Sequence, residues 1–419
     1  TALLDEHLPK LDDARASRQR AKAKLPKAAY DSLVHLLDEI STRYHARPAL
    51  TLLDGDTVVD VTYADLAARA RAVALRLQKA GVARGDRVLL SGANHPAWGI
   101  TAFGVFVAGA VCVPLDPGLD VDAVARIVKK ARPTLAVVDK TQRNKWADAL
   151  PEPVLDLHLT ATDGPGVDPS DRPPITGDDV ASILFTSGTT GDPKGVELLH
   201  KSFTSLLASL QSIFPVGRGD RLLSVLPLHH TFEFSGGFLM PLAAGARIYT
   251  PDALTGERVL YALKTGKITA MVGVPALWQL LERRIRKQAS ERGDVVETVL
   301  DTLLRANIAF AKRTGLSFGR IAFKTIHNEL GGHLRTLISG GSALPPSVFE
   351  LFQGLGLPLA EGYGLTEAAP VLTVAEGVLG APSGTVGKPI PGVELKIVPV
   401  DDAGQESGIG EIWARAPNV

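Results

Sequence analysis

Residues 182–199 constrain this chain more than any other stretch. Ile183 to Phe185 form a short apolar run, ten residues with almost nothing to bury follow, and residues 196–199 turn apolar again. Apolar runs of this length read as buried strands, so the polar segment T-S-G-T-T-G-D-P-K-G is a loop held between two of them. Thr186, Ser187, Thr189 and Thr190 supply hydroxyls, Gly188, Gly191 and Gly195 supply unhindered N–H groups, and Lys194 supplies a cation. Inward-turned N–H groups form an anion-binding nest. Such residues also build ordinary turns, but four hydroxyls, three glycines and a lysine in ten residues exceed what a hairpin needs. The expectation is a phosphate loop. It is not a Walker A loop, because Lys194 follows Pro193 and precedes Gly195, whereas that pattern requires Gly-Lys-Ser/Thr.

Around this loop the pattern alternates. Residues 63–80 read as a helix, 86–90 as a strand, the segment from Trp98 as a helix, 110–113 as a strand, 122–131 as a helix and 134–138 as a strand. After the loop come a helix from Lys201, a strand at 221–225, a strand at 246–249 and a helix at 257–264. A strand at 270–272, a helix at 275–286 and a strand at 335–338 follow. Strands separated by helices imply parallel sheet. With 419 residues the chain exceeds one ordinary core, so two or three lobes are expected. Residues 164–174, rich in Gly, Pro and Asp, read as a surface linker into the loop. Residues 283–331 read as a mostly helical insertion with Val296, Leu300, Leu304 and Ile308 on one face. From residue 370 short alternating segments such as 393–398 and 411–414 suggest a small antiparallel barrel or sheet.

Composition narrows the classes further. Basic and acidic residues balance at 45 each, so no global field calls for nucleic acid. The single Cys112 lies in an apolar run; it excludes an intrachain disulfide and fits a reducing compartment. Nothing beside it would activate a thiol. The apolar stretch 98–113 is short for a membrane span, contains Gly99, Gly104 and Gly109, and is followed by Pro114. No secretory leader is evident at the N-terminus. Residues 14–27 carry six basic side chains and no acidic one, which reads as a solvated arm over residues 1–30. A cytoplasmic protein with at most peripheral contact at the inner membrane face is expected, and a homodimer is compatible.

A second motif, Glu361-Gly362-Tyr363-Gly364-Leu365-Thr366-Glu367, combines two glycines that admit close backbone approach, an aromatic that can stack on a base, a hydroxyl, and a carboxylate suited to a hard cation. Together with the phosphate loop it resembles the signature elements of the adenylate-forming superfamily, which includes acyl-CoA synthetases, luciferases and peptide-synthetase adenylation domains. The resemblance implies a large domain of two α/β sheet lobes (residues 31–369) and the start of a β-barrel lobe (370–419). By the same resemblance Tyr363 lies against adenine and Thr366 contacts the α-phosphate. Glu367 with Thr186 holds Mg²⁺, and Gly340, Gly341 and Ser342 wall the base. Lys194, with Thr186 to Thr190 and Gly191, holds the outer phosphates, and Glu361, Gly362 and Gly364 complete the nucleotide site. His230, in the segment 227–232, is expected to end a strand and border the substrate carboxylate, with His229 its neighbour. Gly384-Thr385-Val386-Gly387-Lys388-Pro389 matches a further family element of structural role.

The insertion, leading into Gly331-Gly332-His333-Leu334-Arg335, is similar to that of bacterial long-chain fatty acyl-CoA synthetases. Phe232, Phe234, Phe238 and Trp278 are candidates to line an apolar tunnel. The implied substrates are ATP, a fatty acid and CoA. Fatty acyl-AMP ligases that serve a carrier protein, and nucleotide-binding relatives without catalysis, are the alternatives. The element at 410–418 normally continues to a ribose-binding aspartate, a hinge and a mobile C-terminal catalytic domain, which the resemblance places after Val419.

Overall fold

The computed structural model describes residues 28–186, 192–375, 377–379, 381–399 and 409–419. The basic residues of the arm, and Ser187, Gly188, Thr189, Thr190 and Gly191 of the loop, lie outside the described residues.

Two α/β sheets dominate. One has six strands in the spatial order Val154–Asp156, Leu135–Val138, Arg87–Ser91, Val111–Pro114, Val180–Thr186, Lys194–Leu199. Its pairs run parallel except the last. The reason is connectivity. Helices Pro96–Val107 and Val121–Ala131 carry the chain back between strands, and a helical crossover returns the next strand in parallel. The last two strands are joined directly by the polar loop, so they can only be antiparallel. Their register sets Thr186 opposite Lys194 at the loop's two ends.

The second sheet has nine strands: Lys388–Pro389, Val371–Val374, Leu359–Gly364, Thr336–Ser339, Ala270–Gly273, Arg221–Leu223, Arg247–Pro251, Pro48–Asp54, Thr57–Thr62. Its centre is parallel and its two margins antiparallel. Strands Leu135–Val138 and Ala270–Gly273 are buried at every residue, as parallel strands covered on both faces must be. Val371–Val374 and Lys388–Pro389 extend this sheet, so the boundary expected at residue 370 falls inside it. A separate two-stranded antiparallel sheet pairs Glu394–Val398 with Glu411–Arg415.

Helix Pro96–Val107 sits between the sheets and is buried along its whole length, which explains why it is apolar all round. Its glycines are steric: a Cβ on Gly99 would lie 2.4 Å from the Phe238 ring, and one on Gly104 2.4 Å from Val73. Among the described residues no helix is long and apolar enough to cross a membrane. Helix Tyr63–Lys79 starts in a capping box, with the Thr62 side chain accepting from the Asp65 N–H and Asp65 returning to Thr62 N–H, worth about 1 kcal/mol.

Three expectations shift. In helix Asp294–Thr314 the buried face is Leu300, Leu304, Asn307 and Ala311, while Val296 is exposed and Ile308 half-buried. The polar Asn307 turns inward because its amide donates to the Gly354 carbonyl (2.8 Å) and to Ser317 Oγ (2.9 Å). Phe234 and Phe238 stack in the core (centroids 5.7 Å apart), and Trp278 packs edge-on against Phe352, so these aromatics pack in the interior. The linker at 164–174 includes a buried Val167 and a short 3₁₀ turn, Pro169–Asp171.

Candidate active site

Strands Thr336–Ser339, Leu359–Gly364 and Ala270–Gly273 end together, and the turns that follow them wall a cavity of about 310 Å³. Gly340, Gly341, Phe232, Val274, Tyr363 and Thr366 are among its lining residues. Gly340 is required for space, because a Cβ there would meet the Phe232 ring at 2.9 Å, and Gly341 has φ +85°. Gly364 packs so tightly that a Cβ would fall 1.7 Å from the Pro370 carbonyl oxygen. That carbonyl accepts from the Leu365 N–H at 2.9 Å, which closes the loop that presents Thr366.

A second cavity, about 440 Å³, lies beside the stem of the polar loop and is bordered by Thr186, Pro193, Asp116, Arg126 and His229. His230, Thr231 and Thr366 line both cavities, so the two meet there. Lys130, in the last turn of helix Val121–Ala131, clamps the loop's far end through Asp192 (2.5 Å) and the Pro193 carbonyl (2.9 Å).

The structure thus brings Gly340, Gly341, Gly362, Tyr363, Gly364, Thr366 and His230 to one cavity, and Thr186 to its neighbour. Lys194, Glu367 and Ser342 are exposed and line neither. Glu361 also lines neither. It is buried, accepts only a long bond from the Leu344 N–H (3.4 Å), and burial raises its pKa. Its other carboxyl oxygen, Oε1, is buried without a hydrogen-bond partner.

His230 does not end a strand. Strand Arg221–Leu223 stops earlier, and a turn carries His230, whose N–H donates to the Pro227 carbonyl. The His229 and His230 rings lie 4.3 Å apart. Burial pushes His229 down to about 4, assisted by His230 and opposed by Asp116, whose Oδ2 lies 3.9 Å from Nε2. His230 is lowered too, by desolvation and against the pull of Asp116, although the residue is exposed. Both imidazoles are neutral near pH 7. They can direct a hydrogen bond at a carboxylate without forming a fixed ion pair. Cys112 is buried and its thiol pushed up by desolvation, so it is chemically quiet.

Among the described residues no cluster of three metal-ligating side chains is present. A magnesium ion shared with substrate phosphates needs only one or two protein ligands. Glu367, adjacent to Thr366 and exposed, and Thr186 across the junction are of the right donor type.

Reading residues alone missed Asn94, Ser224 and Glu233, which hold the His230 turn from beneath. The available signal was an acid set between phenylalanines, Phe232-Glu233-Phe234, and followed by two glycines. An apolar groove of about 520 Å³ was also missed. Val225, Val259, Leu277 and Leu281 line it, with Arg283 and Lys287 among its basic residues.

Two α/β sheets whose carboxyl ends converge on a base-sized cavity beside a glycine-rich loop define a nucleotide-binding fold of the adenylate-forming type. The chain belongs to the AMP-binding enzyme family, whose pattern matches residues 37–419. It is 29% identical over 389 residues to the long-chain-fatty-acid–CoA ligase FadD15 of Mycobacterium bovis, a match covering 83% of this chain and 62% of that protein. It is 32% identical over 262 residues to long-chain-fatty-acid–CoA ligase 2 of Schizosaccharomyces pombe (59% and 38%). With a feruloyl-CoA synthase of Amycolatopsis sp it shares 27% over 361 residues (86% and 65%). The chain therefore spans less than two thirds of the length of these relatives. Its fold matches the inhibitor-bound N-terminal domain of FACL13 from Mycobacterium tuberculosis, with TM-score 0.73 at 21% identity, covering 93% of this chain and 90% of that one. It also matches unliganded O-succinylbenzoate coenzyme A synthetase from Bacillus subtilis, with TM-score 0.69 at 19% identity, covering 92% and 70%.

Proposed function

We propose that this chain carries the adenylation site of an ATP-dependent acid–thiol ligase. The observation that carries the reading is the convergence of Tyr363, Gly340, Gly341 and Thr366 on one cavity that opens, at His230 and Thr231, toward the stem of the phosphate loop. A substrate carboxylate attacks the α-phosphorus of ATP, the bond to the β,γ-pyrophosphate breaks, and acyl-AMP forms. A CoA thiol then displaces AMP from the acyl carbon.

The first step sets two anions against each other, so catalysis is positioning and charge neutralisation. Tyr363 packs on the adenine, Thr366 bonds the α-phosphate, and Lys194 with the loop N–H groups holds the outer phosphates. His230 orients the attacking carboxylate. Glu367 and Thr186 would hold a Mg²⁺ ion, which would neutralise phosphate charge.

The acid we propose is a long-chain fatty acid. Supporting this are the likeness to long-chain ligases and the apolar groove, whose Val225 and Leu277 adjoin cavity residues Leu226 and Val274. A hydroxycinnamic acid is the second reading, favoured by the likeness to feruloyl-CoA synthase and by Phe232 and Tyr363 on the cavity wall. Acid-dependent ATP–pyrophosphate exchange across fatty and hydroxycinnamic acids decides between them. Exchange with neither class sinks both.

A further inference from the structure

Beneath the turn that carries His230 lies a buried acid with one side-chain partner. Glu233 is fully buried, its Oε1 accepts from Ser224 Oγ at 2.6 Å, and its Oε2 has no partner. Among the described residues no basic side chain pairs with it. Space is reserved for the carboxyl: a Cβ on Gly237, one turn along the π-helical stretch Glu233–Leu239, would lie 2.5 Å from Glu233 Cδ. Such a group costs more to bury than a leucine of the same size, so its place must be explained by what it holds.

What it holds is a three-residue clamp. Asn94 Nδ2 donates to Ser224 Oγ (3.1 Å) and to the Leu226 carbonyl (2.5 Å), while Asn94 Oδ1 accepts from the Leu228 N–H (3.0 Å). Asn94 follows strand Arg87–Ser91 of the six-stranded sheet, and Ser224 follows strand Arg221–Leu223 of the nine-stranded one. The clamp therefore ties both sheets to the 226–231 turn from which His230 and Thr231 reach the two cavities.

We propose that Glu233 is a positioning residue of this site: through Ser224 and Asn94 it fixes the 226–231 turn and so sets where His230 and Thr231 stand at the junction of the cavities. The proposal rests on the adenylation reading, since it concerns the placement of the acid-facing side chain. Burial pushes the carboxyl up to about 8, so the neutral acid is the form that bonds Ser224 and glutamine is its nearest mimic.

The test uses the whole chain with Glu233→Gln, Glu233→Ala, Ser224→Ala and, as a control for mere destabilisation, Asn307→Ala. AMP affinity, acid-dependent pyrophosphate exchange and the ring NMR signals of His229 and His230 are measured on each. Glu233→Ala and Ser224→Ala should keep AMP affinity within about twofold but lower exchange kcat/KM by about tenfold, the loss expected when one buried hydrogen bond misplaces a reacting group. Their histidine signals should move. Glu233→Gln should stay within about threefold of the native chain with unmoved signals, and Asn307→Ala should lower Tm while leaving exchange and signals alone. Native exchange and unmoved signals in Glu233→Ala would overturn the proposal, as would a glutamine variant as poor as the alanine one. Should Glu233→Ala not fold, Ser224→Ala carries the same decision. If the native chain exchanges with no acid, the adenylation reading fails, and the histidine signals alone decide whether Glu233 sets the turn.

Discussion

Replacing Glu233 by glutamine should change how the stability of this protein depends on pH, and the size of the change follows from burial. The carboxyl is shifted from its ordinary 4.5 to about 8, chiefly by desolvation, with the Ser224 hydroxyl and the Leu226 backbone pulling it partly back. Below pH 4.5 both folded and unfolded chains carry the neutral acid, and no penalty arises. Between 4.5 and 8 the unfolded chain releases the proton while the folded chain keeps it, so stability falls as pH rises, by about 1.4 kcal/mol per unit. The accumulated loss approaches about 5 kcal/mol at pH 8, with relaxation around the site making this a ceiling. His95, His200 and His229, each pushed down to about 4 by burial, work the other way. Their unfolded forms take a proton near 6.5 while the folded forms do not, so stability falls as pH drops from there toward 4. These histidines are common to both proteins and cancel in the difference. Urea unfolding of native and Glu233→Gln protein at several pH values from about 5 to 8 should show the variant gaining on the native chain by several kcal/mol. A difference that stays flat across that range would refute the buried, unpaired acid.

Three further outcomes are expected. Glu367→Ala should abolish magnesium-dependent pyrophosphate exchange, yet leave thermal stability within about 0.5 kcal/mol, since the side chain is exposed; exchange at the native rate would remove Glu367 from the metal site. Gly364→Ala must move the Pro370 carbonyl that its Cβ would strike, so both Tm and exchange should fall, the former by the equivalent of about 2–4 kcal/mol, as calorimetry and exchange assays can check. Leu277→Trp fills the apolar groove and should raise KM for long-chain acids several-fold while sparing short ones; equal effects on both would detach the groove from the acyl chain.

Much of the fold was legible because local chemistry and global topology agree. The parallel sheets follow from strands spaced by helices, and the antiparallel pairing of Val180–Thr186 with Lys194–Leu199 follows from a connection too short and polar to be a crossover. Tyr363 and Thr366 could be read as a ligand motif because close approach, stacking and phosphate bonding each demand a particular residue type, whereas Gly340 and Gly341 joined them only through the family resemblance. What could not be read depends on distant partners. Ser224 and Asn94 meet across 130 positions of sequence, and nothing local marks Asn94. Asn307 hides in a helix whose apolar spacing points to a different stripe, because a buried amide adds nothing to a hydrophobic pattern. Phe234, Phe238 and Trp278 show the converse: an aromatic near a site is equally suited to the core, and only packing separates the two.

The shared wall of the two cavities has a mechanistic consequence. Displacement at phosphorus needs the attacking and leaving oxygens roughly in line, so the acid and the departing pyrophosphate must occupy opposite sides of the α-phosphate. Thr366 stands where the cavities meet. On one side are Gly340, Gly341 and Tyr363, which border the space given to the base; on the other are Thr186 and Pro193 at the stem of the phosphate loop. An α-phosphate bonded to Thr366 would therefore release pyrophosphate toward the loop, with the acid approaching from the opposite side of that phosphorus. His230 and Thr231 line both spaces. The clamp of Glu233, Ser224 and Asn94 beneath them is then placed to keep that line straight.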